Sequence, residues 1–364
     1  MKEEIIIMSA LIVLSGFIAI ELGFTTAIAE LLAGMFIREF VSLRDVETIR
    51  VLADLGILTL MYVAGLEIDL DQLERRFKPS FVIGFSSFIF PFLLVFGLVH
   101  HVMGMTIQQS ILISIALSTT SIALVYPILK QEGEMTDDKR MILSAAMITD
   151  LLSMAALGVF FTKNPELIIF LILGLFVFAK ILPFLGRRIF RYYRGNVAEF
   201  EFKIILLLIL AVAVVSEKAG FESAIIAFLM GMITSEIVVQ HENLEIKLRG
   251  IVFGFFAPIF FFWIGLSISI WDMINNLWLL SLLLIVCFSA KYIGTYLASR
   301  LFVPEKSGYI ASLFNSRLSL GIVAAVFGYE FDIFGLEVYS AIIGAVILSS
   351  LLSAILCRAK LQIY

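Results

Sequence analysis

Apolar residues along this chain fall into long runs separated by short polar breaks. The runs lie at about 4–20, 24–40, 47–69, 79–103, 107–130, 138–162, 165–190, 201–217, 220–238, 250–270, 275–302, 308–330 and 336–358. The hydrocarbon core of a bilayer is about 30 Å thick and is crossed by roughly 20 helical residues. The pattern therefore predicts an all-α polytopic membrane protein with about thirteen transmembrane helices. An odd number of crossings puts the two termini on opposite sides.

Composition agrees. Of 364 residues 61% are hydrophobic and only 15% charged, with a mean hydropathy of +1.06. A soluble protein of this size could not hide that much apolar side chain, so membrane lipid is the first expected partner. The net charge of −4 says little; its distribution says more. Basic residues collect in alternate loops, at Arg75, Arg76 and Lys78, at Lys139 and Arg140, at Arg187 to Arg194, at Lys247 and Arg249, and at Arg300 and Lys306. The bias of Lys and Arg toward cytoplasmic loops then predicts an outer N-terminus and a cytoplasmic C-terminus. One loop dissents, with Arg38, Arg44 and Arg50 outside, partly offset by Glu39, Asp45 and Glu47. The first residues lack the basic region of a signal peptide, so the first run is expected to be retained, and no soluble domain is expected before or after the membrane part. Cys287 and Cys357 are far apart in apolar runs, and His100-His101 makes no zinc motif. Neither a cofactor nor a nucleic-acid partner is expected.

The chain repeats itself. Thr26 to Met35 in the second run matches Ser223 to Met232 in the ninth, which sets Gly34 on Gly231. Tyr62 to Asp69 in the third run matches Trp263 to Ser269 in the tenth, which sets Gly65 on Gly265. Each pair is seven crossings apart, so the second copy is upside down. Inverted repeats are the architecture of secondary transporters, whose substrate site lies near mid-membrane at the repeat interface.

Polar residues inside the runs mark where chemistry is expected. Asp150 is the only carboxylate between Met141 and Phe161. A charge at the centre of a spanning helix costs about 2.5–3.5 kcal/mol on insertion scales, so it faces protein or a hydrated path. Ala146 and Ser153 share its helical face and are small, leaving room for a second backbone or a hydrated ion. A structural aspartate pairing with a neighbouring helix is the alternative. The fifth run contains Ser118, Thr119, Thr120 and Ser121, followed by Pro127, and the twelfth contains Asn315, Ser316, Arg317 and Ser319. Paired breaks at corresponding positions of two repeats are the best pointer to a substrate site, although a single Ser or Thr in such a helix usually bonds back to its own backbone. Lys291 lies in the eleventh run, where it must find a carboxylate, for which Asp150 is the obvious candidate, or lose its proton. Glu67, Asp54 and Glu30 are secondary candidates; Glu67 lies at a cytoplasmic mouth, Asp54 near an outer end, and Glu30 deeper in the second run.

Leu52 to Leu58 running into Ala64 to Asp69, then Leu117 to Leu129, then Ile148-Thr149-Asp150 resemble the second family of monovalent cation:proton antiporters, the Kef-type and sodium/proton exchanger group. The likeness covers nearly the whole chain. It implies a homodimer of two-domain protomers in a prokaryotic cytoplasmic membrane. Residues 1–78 and 197–273 would form the dimerisation domain, residues 79–163 and 274–364 a core with crossed, broken fifth and twelfth helices, and residues 164–196 the linker between halves. It also implies that Asp150 binds the cation, that Thr120 and Ser121 are hydroxyls of the unwound fifth helix, and that Lys291 and Arg317 compensate charge. Two departures stand out. Many members carry Asp-Asp where this chain has Thr149-Asp150, and Arg-Gly-Glu where it has Arg317-Leu318-Ser319. Both remove a carboxylate, and the first points to electroneutral exchange. The nucleotide-binding regulatory domain of the potassium-efflux branch is not expected.

The expected function is secondary antiport of Na⁺, Li⁺ or K⁺ against protons by alternating access, with Asp150 as the shared site; hydroxyl and carbonyl oxygens suit such hard cations. The main alternative is a sodium-coupled symporter of an organic anion, which would need a second cation site. An intramembrane aspartyl protease would need two aspartates sharing one site, and no companion in a Gly-x-Gly-Asp setting is found.

Overall fold

The computed structural model describes residues 2–22, 25–40, 46–66, 76–131, 136–161, 200–219, 223–239, 242–268 and 270–361. The seventh run (165–190) and Glu67 lie outside the described residues. Among the described residues no strand occurs. The first four runs form α1 (Lys2–Leu22), α2 (Thr26–Phe40), α3 (Val46–Leu66) and α4 (Phe77–Gly97), the last extended by a π turn at Leu98–Val102. The fifth run is two helices, α5 (Ile107–Ala116) and α6 (Ile122–Gln131), and the sixth is α7 (Asp137–Phe161). Then come α8 (Phe200–Ala219), α9 (Ser223–Val239), α10 (Glu242–Ile251), α11 (Ala257–Ser267), the short α12 (Ile270–Asn275) and α13 (Leu277–Arg300). The twelfth run is again two helices, α14 (Ser307–Leu313) and α15 (Ser319–Glu330), and α16 (Leu336–Leu361) closes the chain.

Among the described residues six stretches are long and apolar enough to cross a membrane, including Phe77–Val102, Asp137–Phe160, Leu277–Arg300 and Leu336–Cys357. They differ from the helices of a soluble protein in what they expose. Phe77, Phe81 and Phe85 are exposed and stack along α4 with ring centroids 5.4 and 5.6 Å apart, a surface that only lipid would solvate favourably.

The break in the fifth run falls on Leu117 to Ser121, while Pro127 sits inside α6, so the proline is not at the break. The tenth run also starts earlier than its apolar residues do. α10 opens at Glu242 and joins α11 through a π turn at Val252–Phe256, because Asn243, Glu245, Lys247 and Arg249 share that helix with buried Leu244 and Leu248.

The repeated glycines meet each other in space. α2 packs on α11 and α3 on α9. A Cβ on Gly265 would strike Leu31 O and lie 3.0 Å from Gly34 Cα; one on Gly231 would strike Tyr62 O and lie 3.0 Å from Gly65 Cα. Small residues let two backbones approach, which is how helices associate where no hydrophobic force drives them. The two crossings pair the second run with the tenth and the third with the ninth, as inverted copies of one motif would.

The remaining helices pack around the breaks. α4 lies against α7 and α13, α7 also touches α5, α6 and α15, and α16 packs on α13, α14 and α15. Where α4 packs on α7, a Cβ on Gly84 would lie 2.5 Å from Ala145 O.

Candidate functional site

The two breaks cross and hold one another. Ser121 N–H donates to Ser316 O at 2.8 Å, and Thr120 Oγ1 donates to Phe314 O at 3.2 Å. Close approach is possible because Gly321, on the first turn of α15, faces Ala116 O and Thr119 Oγ1 with no side chain of its own. Behind the second break α16 supplies hydroxyls. Ser350 Oγ bonds both the N–H and the carbonyl of Arg317, Ser316 and Ser353 hydroxyls lie 2.8 Å apart, and Ser353 Oγ donates to Ser312 O at 2.7 Å. Backbone groups freed by a broken membrane helix need such partners, since hydrocarbon offers none.

Each break leaves the C-terminal end of a half-helix inside the protein, and a helix C-terminus carries negative partial charge. Among the described residues two basic side chains are fully buried, and both lie near these breaks. Lys291 is 0% exposed, and its ammonium donates to Ser118 O at 2.6 Å, just past the end of α5, and to Ser87 O of α4 at 3.2 Å. Arg317 is also 0% exposed and donates through Nη2 to Cys287 O and to Asn315 Oδ1, both at 2.9 Å. Its Nε and Nη1 have no hydrogen-bond partner among the described residues. Cys287 and Lys291 are one turn apart on α13, so one helix serves both charges.

Asp150 is 5% exposed on α7, the helix that touches both α5 and α15, and it acts electrostatically on Lys291. The Lys291 ammonium hydrogen-bonds two carbonyl oxygens, and the Asp150 carboxylate acts on it electrostatically. Thr149 is fully buried and its hydroxyl donates to Gly84 O and Ala145 O, both at 3.1 Å, which ties α7 to α4. Ser153 Oγ donates to Thr149 O, Ser118 Oγ to Ser114 O and Thr119 Oγ1 to Ala116 O, the ordinary back-bonding of helix hydroxyls. Asn315 Nδ2 likewise donates to Ala311 O, and Ser319 opens α15.

The structure thus brings Asp150, Ser118, Thr119, Thr120, Ser121, Lys291, Asn315, Ser316 and Arg317 to the helices of one crossing. Glu30 and Asp54 belong elsewhere. Glu30 is buried on α2 beside Thr26, and Asp54 is exposed on α3. No group of three or more His, Cys, Asp or Glu able to hold a metal occurs among the described residues. A cation at this crossing would meet one carboxylate together with hydroxyl and carbonyl oxygens, a donor set for a weakly held, transported hard cation rather than a resident metal. Ser350 and Ser353 were not picked out from the sequence, although a serine pair with a third one turn on in an apolar run was a visible signal.

A family model described as the transmembrane sodium/hydrogen exchanger matches residues 7–358. Among similar proteins, the probable Na⁺/H⁺ antiporter GerT of Bacillus cereus is 27% identical over 362 residues, covering 93% of this chain and 94% of the relative. The Na⁺/H⁺-K⁺ antiporter GerN of the same organism is 27% identical over 375 residues, covering 97% and 95%. Probable Na⁺/H⁺ antiporter 3 of Methanocaldococcus jannaschii is 28% identical over 327 residues, covering 86% and 84%. Two solved structures of the sodium proton antiporter MjNhaP1 from that archaeon share the fold. One, at pH 8, has a TM-score of 0.68 at 14% identity over 96% of this chain and 94% of that one. The other, from electron microscopy, has a TM-score of 0.73 at 17% identity over 100% and 96%.

Proposed function

The chain belongs to the sodium/hydrogen exchanger family, whose members are secondary transporters and not enzymes, and from that premise we propose that Asp150 is the single shared site at which this antiporter binds either a monovalent cation or a proton. The observation that carries the reading is that Asp150 is buried on α7, the helix that touches α5, α6 and α15 of the two crossed breaks, with Lys291 and Arg317 buried at the same breaks.

The packing supports a division of labour. α1 to α3 with α8 to α11 form a scaffold locked by the two glycine crossings, and α4 to α7 with α13 to α16 form the core that carries the site. The core moves against the scaffold so that Asp150 faces each side in turn, in a homodimer joined through the scaffold, with the N-terminus outside and the C-terminus in the cytoplasm.

Exchange is one cation for one proton. Thr149 cannot ionise, and Lys291, anchored on Ser87 O and Ser118 O, is a fixed charge in this scheme. Asp150 alone changes its ligand, so the loaded site has the same charge in both directions.

Purified protein in liposomes with an internal pH dye tests the whole reading. Addition of Na⁺ or Li⁺ outside should drive protons out, and no proton movement with Na⁺, Li⁺ or K⁺ would overturn it. Charge coupling is read in the same vesicles by clamping the potential with valinomycin, once K⁺ transport has been tested with the dye. The ion gradients at which net exchange stops should not depend on voltage; an equilibrium point that shifts with the imposed potential would refute one-for-one exchange.

A further inference from the structure

Among the described residues, polar contacts between the scaffold and core helices gather at one end, the end that the charge bias puts outside. Arg50 Nη2 on the first turns of α3 lies 3.5 Å from Glu330 Oε1 at the last residue of α15. Asp54, one turn further along α3, acts electrostatically on the same glutamate. Deeper in, Tyr339 on the first turn of α16 is 1% exposed, and its hydroxyl lies 2.9 Å from Ser267 Oγ at the end of α11. Ser267 already donates to Ile264 O at 2.7 Å, so the tyrosine is the donor. Tyr339 is held in place by its own side of the contact, stacking on Tyr329 of α15 with centroids 4.7 Å apart. The short α12, which links α11 to α13, packs on α2 and α16 at this same end.

The opposite end differs. There the ion pairs among the described residues stay within one set of helices. Arg76 reaches Asp137 and Asp138, and Lys306 reaches Asp138, all on the core; Arg249 pairs with Glu245 within α10 of the scaffold.

We infer that Arg50, Glu330, Ser267 and Tyr339 are the gating residues of the outer mouth, a two-layer latch that joins α3 and α11 to α15 and α16 and parts each time Asp150 is presented to the outside. The inference rests on the alternating-access reading above. Both layers have the strength such a latch needs. The outer pair is half-exposed, with side chains 57% and 45% accessible, and exposed pairs of this kind hold weakly. The inner layer is one neutral hydrogen bond with no charge stranded when it breaks. A buried ion pair here would resist opening, whereas this arrangement can be undone once per cycle.

The test uses the full chain carrying R50C and E330C. Its own cysteines, Cys287 and Cys357, are both buried, so thiol reagents reach the new pair selectively. Before treatment the double variant should exchange Na⁺ for protons in liposomes within about twofold of the parent, since the ion pair it removes is weak. A short bis-methanethiosulfonate linker should then lower exchange by at least about tenfold, and reductant should restore it, because a covalent bridge cannot part as the core moves. Exchange that continues at the untreated rate after complete linking, measured by mass, would overturn the gate while leaving the antiporter reading intact. Tyr339→Phe gives an independent reading without cysteines. Loss of the latch should lower the half-saturating Na⁺ concentration on the outer side by at least about twofold, because more of the protein then faces outward. An unchanged value would count against the inner layer.

Discussion

Asp150→Asn is expected to abolish cation/proton exchange and leave a folded protein. Asparagine keeps the size of the side chain and most of its hydrogen-bonding capacity, so α7 should still pack against α4 and α15. What it loses is the negative charge that holds a cation and the basicity that holds a proton. Exchange needs both, and the fall should be at least about 100-fold, because no second ionisable carboxylate occupies the neighbouring position where Thr149 stands. Stability should not fall with activity. A buried charge is a cost in the folded state, and its neutral isostere relieves that cost. The measurements are dye-reported exchange in liposomes together with the thermal melt and elution profile of the detergent-solubilised protein. A variant that still exchanges Na⁺ at parental rates would remove Asp150 from the mechanism, and one that elutes as aggregate would show the carboxylate to be structural.

Much of the architecture was legible because a bilayer imposes simple rules. Runs of about 20 apolar residues can cross it in no other way than as helices or a closed barrel, so most described helices match a run. Breaks announced themselves as hydroxyls and amides where nothing polar is otherwise tolerated, at Ser118 to Ser121 and Asn315 to Ser316. Pro127 misled as a marker of the break. A proline costs a helix one N–H, but four consecutive hydroxyl residues offer the backbone competing partners, and the chain opens there instead. The glycine repeats were legible for a different reason: only a missing side chain permits those crossings, so the residue itself records the contact.

The carbonyl partners of Lys291 were not legible. Sequence reasoning looks for an opposite charge, and Asp150 was the obvious one. The structure offers the ammonium the carbonyls of Ser87 and Ser118, and any residue type can present a carbonyl. Only the knowledge that α5 ends at Ala116, with its last carbonyls turned into the protein, would have pointed there. The outer latch was hidden for a related reason. Arg50 and Glu330 are 280 residues apart and each reads alone as a solvated helix end.

Gly231→Val should prevent accumulation of folded protein, and Gly34→Val should do the same through the pseudo-symmetric crossing. At Gly231 even a Cβ meets the carbonyl oxygen of Tyr62, and at Gly34 it meets that of Phe262. These obstacles are backbone atoms within helices, which cannot swing aside as a flexible side chain could. Overpacking a core costs about 1–3 kcal/mol when side chains can adjust, and a collision with helix backbone should exceed that. The helices would have to separate along their whole contact, forfeiting the close packing that holds α3 on α9 and α2 on α11. Glycines that face open space supply the control. Gly16, Gly158 and Gly254 have nothing within 4 Å of an added Cβ, and replacing them with alanine should leave expression and melting within experimental scatter of the parent. If all five substitutions behaved alike, the crossings would not be what holds the scaffold together. If only the valines at Gly34 and Gly231 fail, and fail equally, the two inverted copies carry equivalent structural weight.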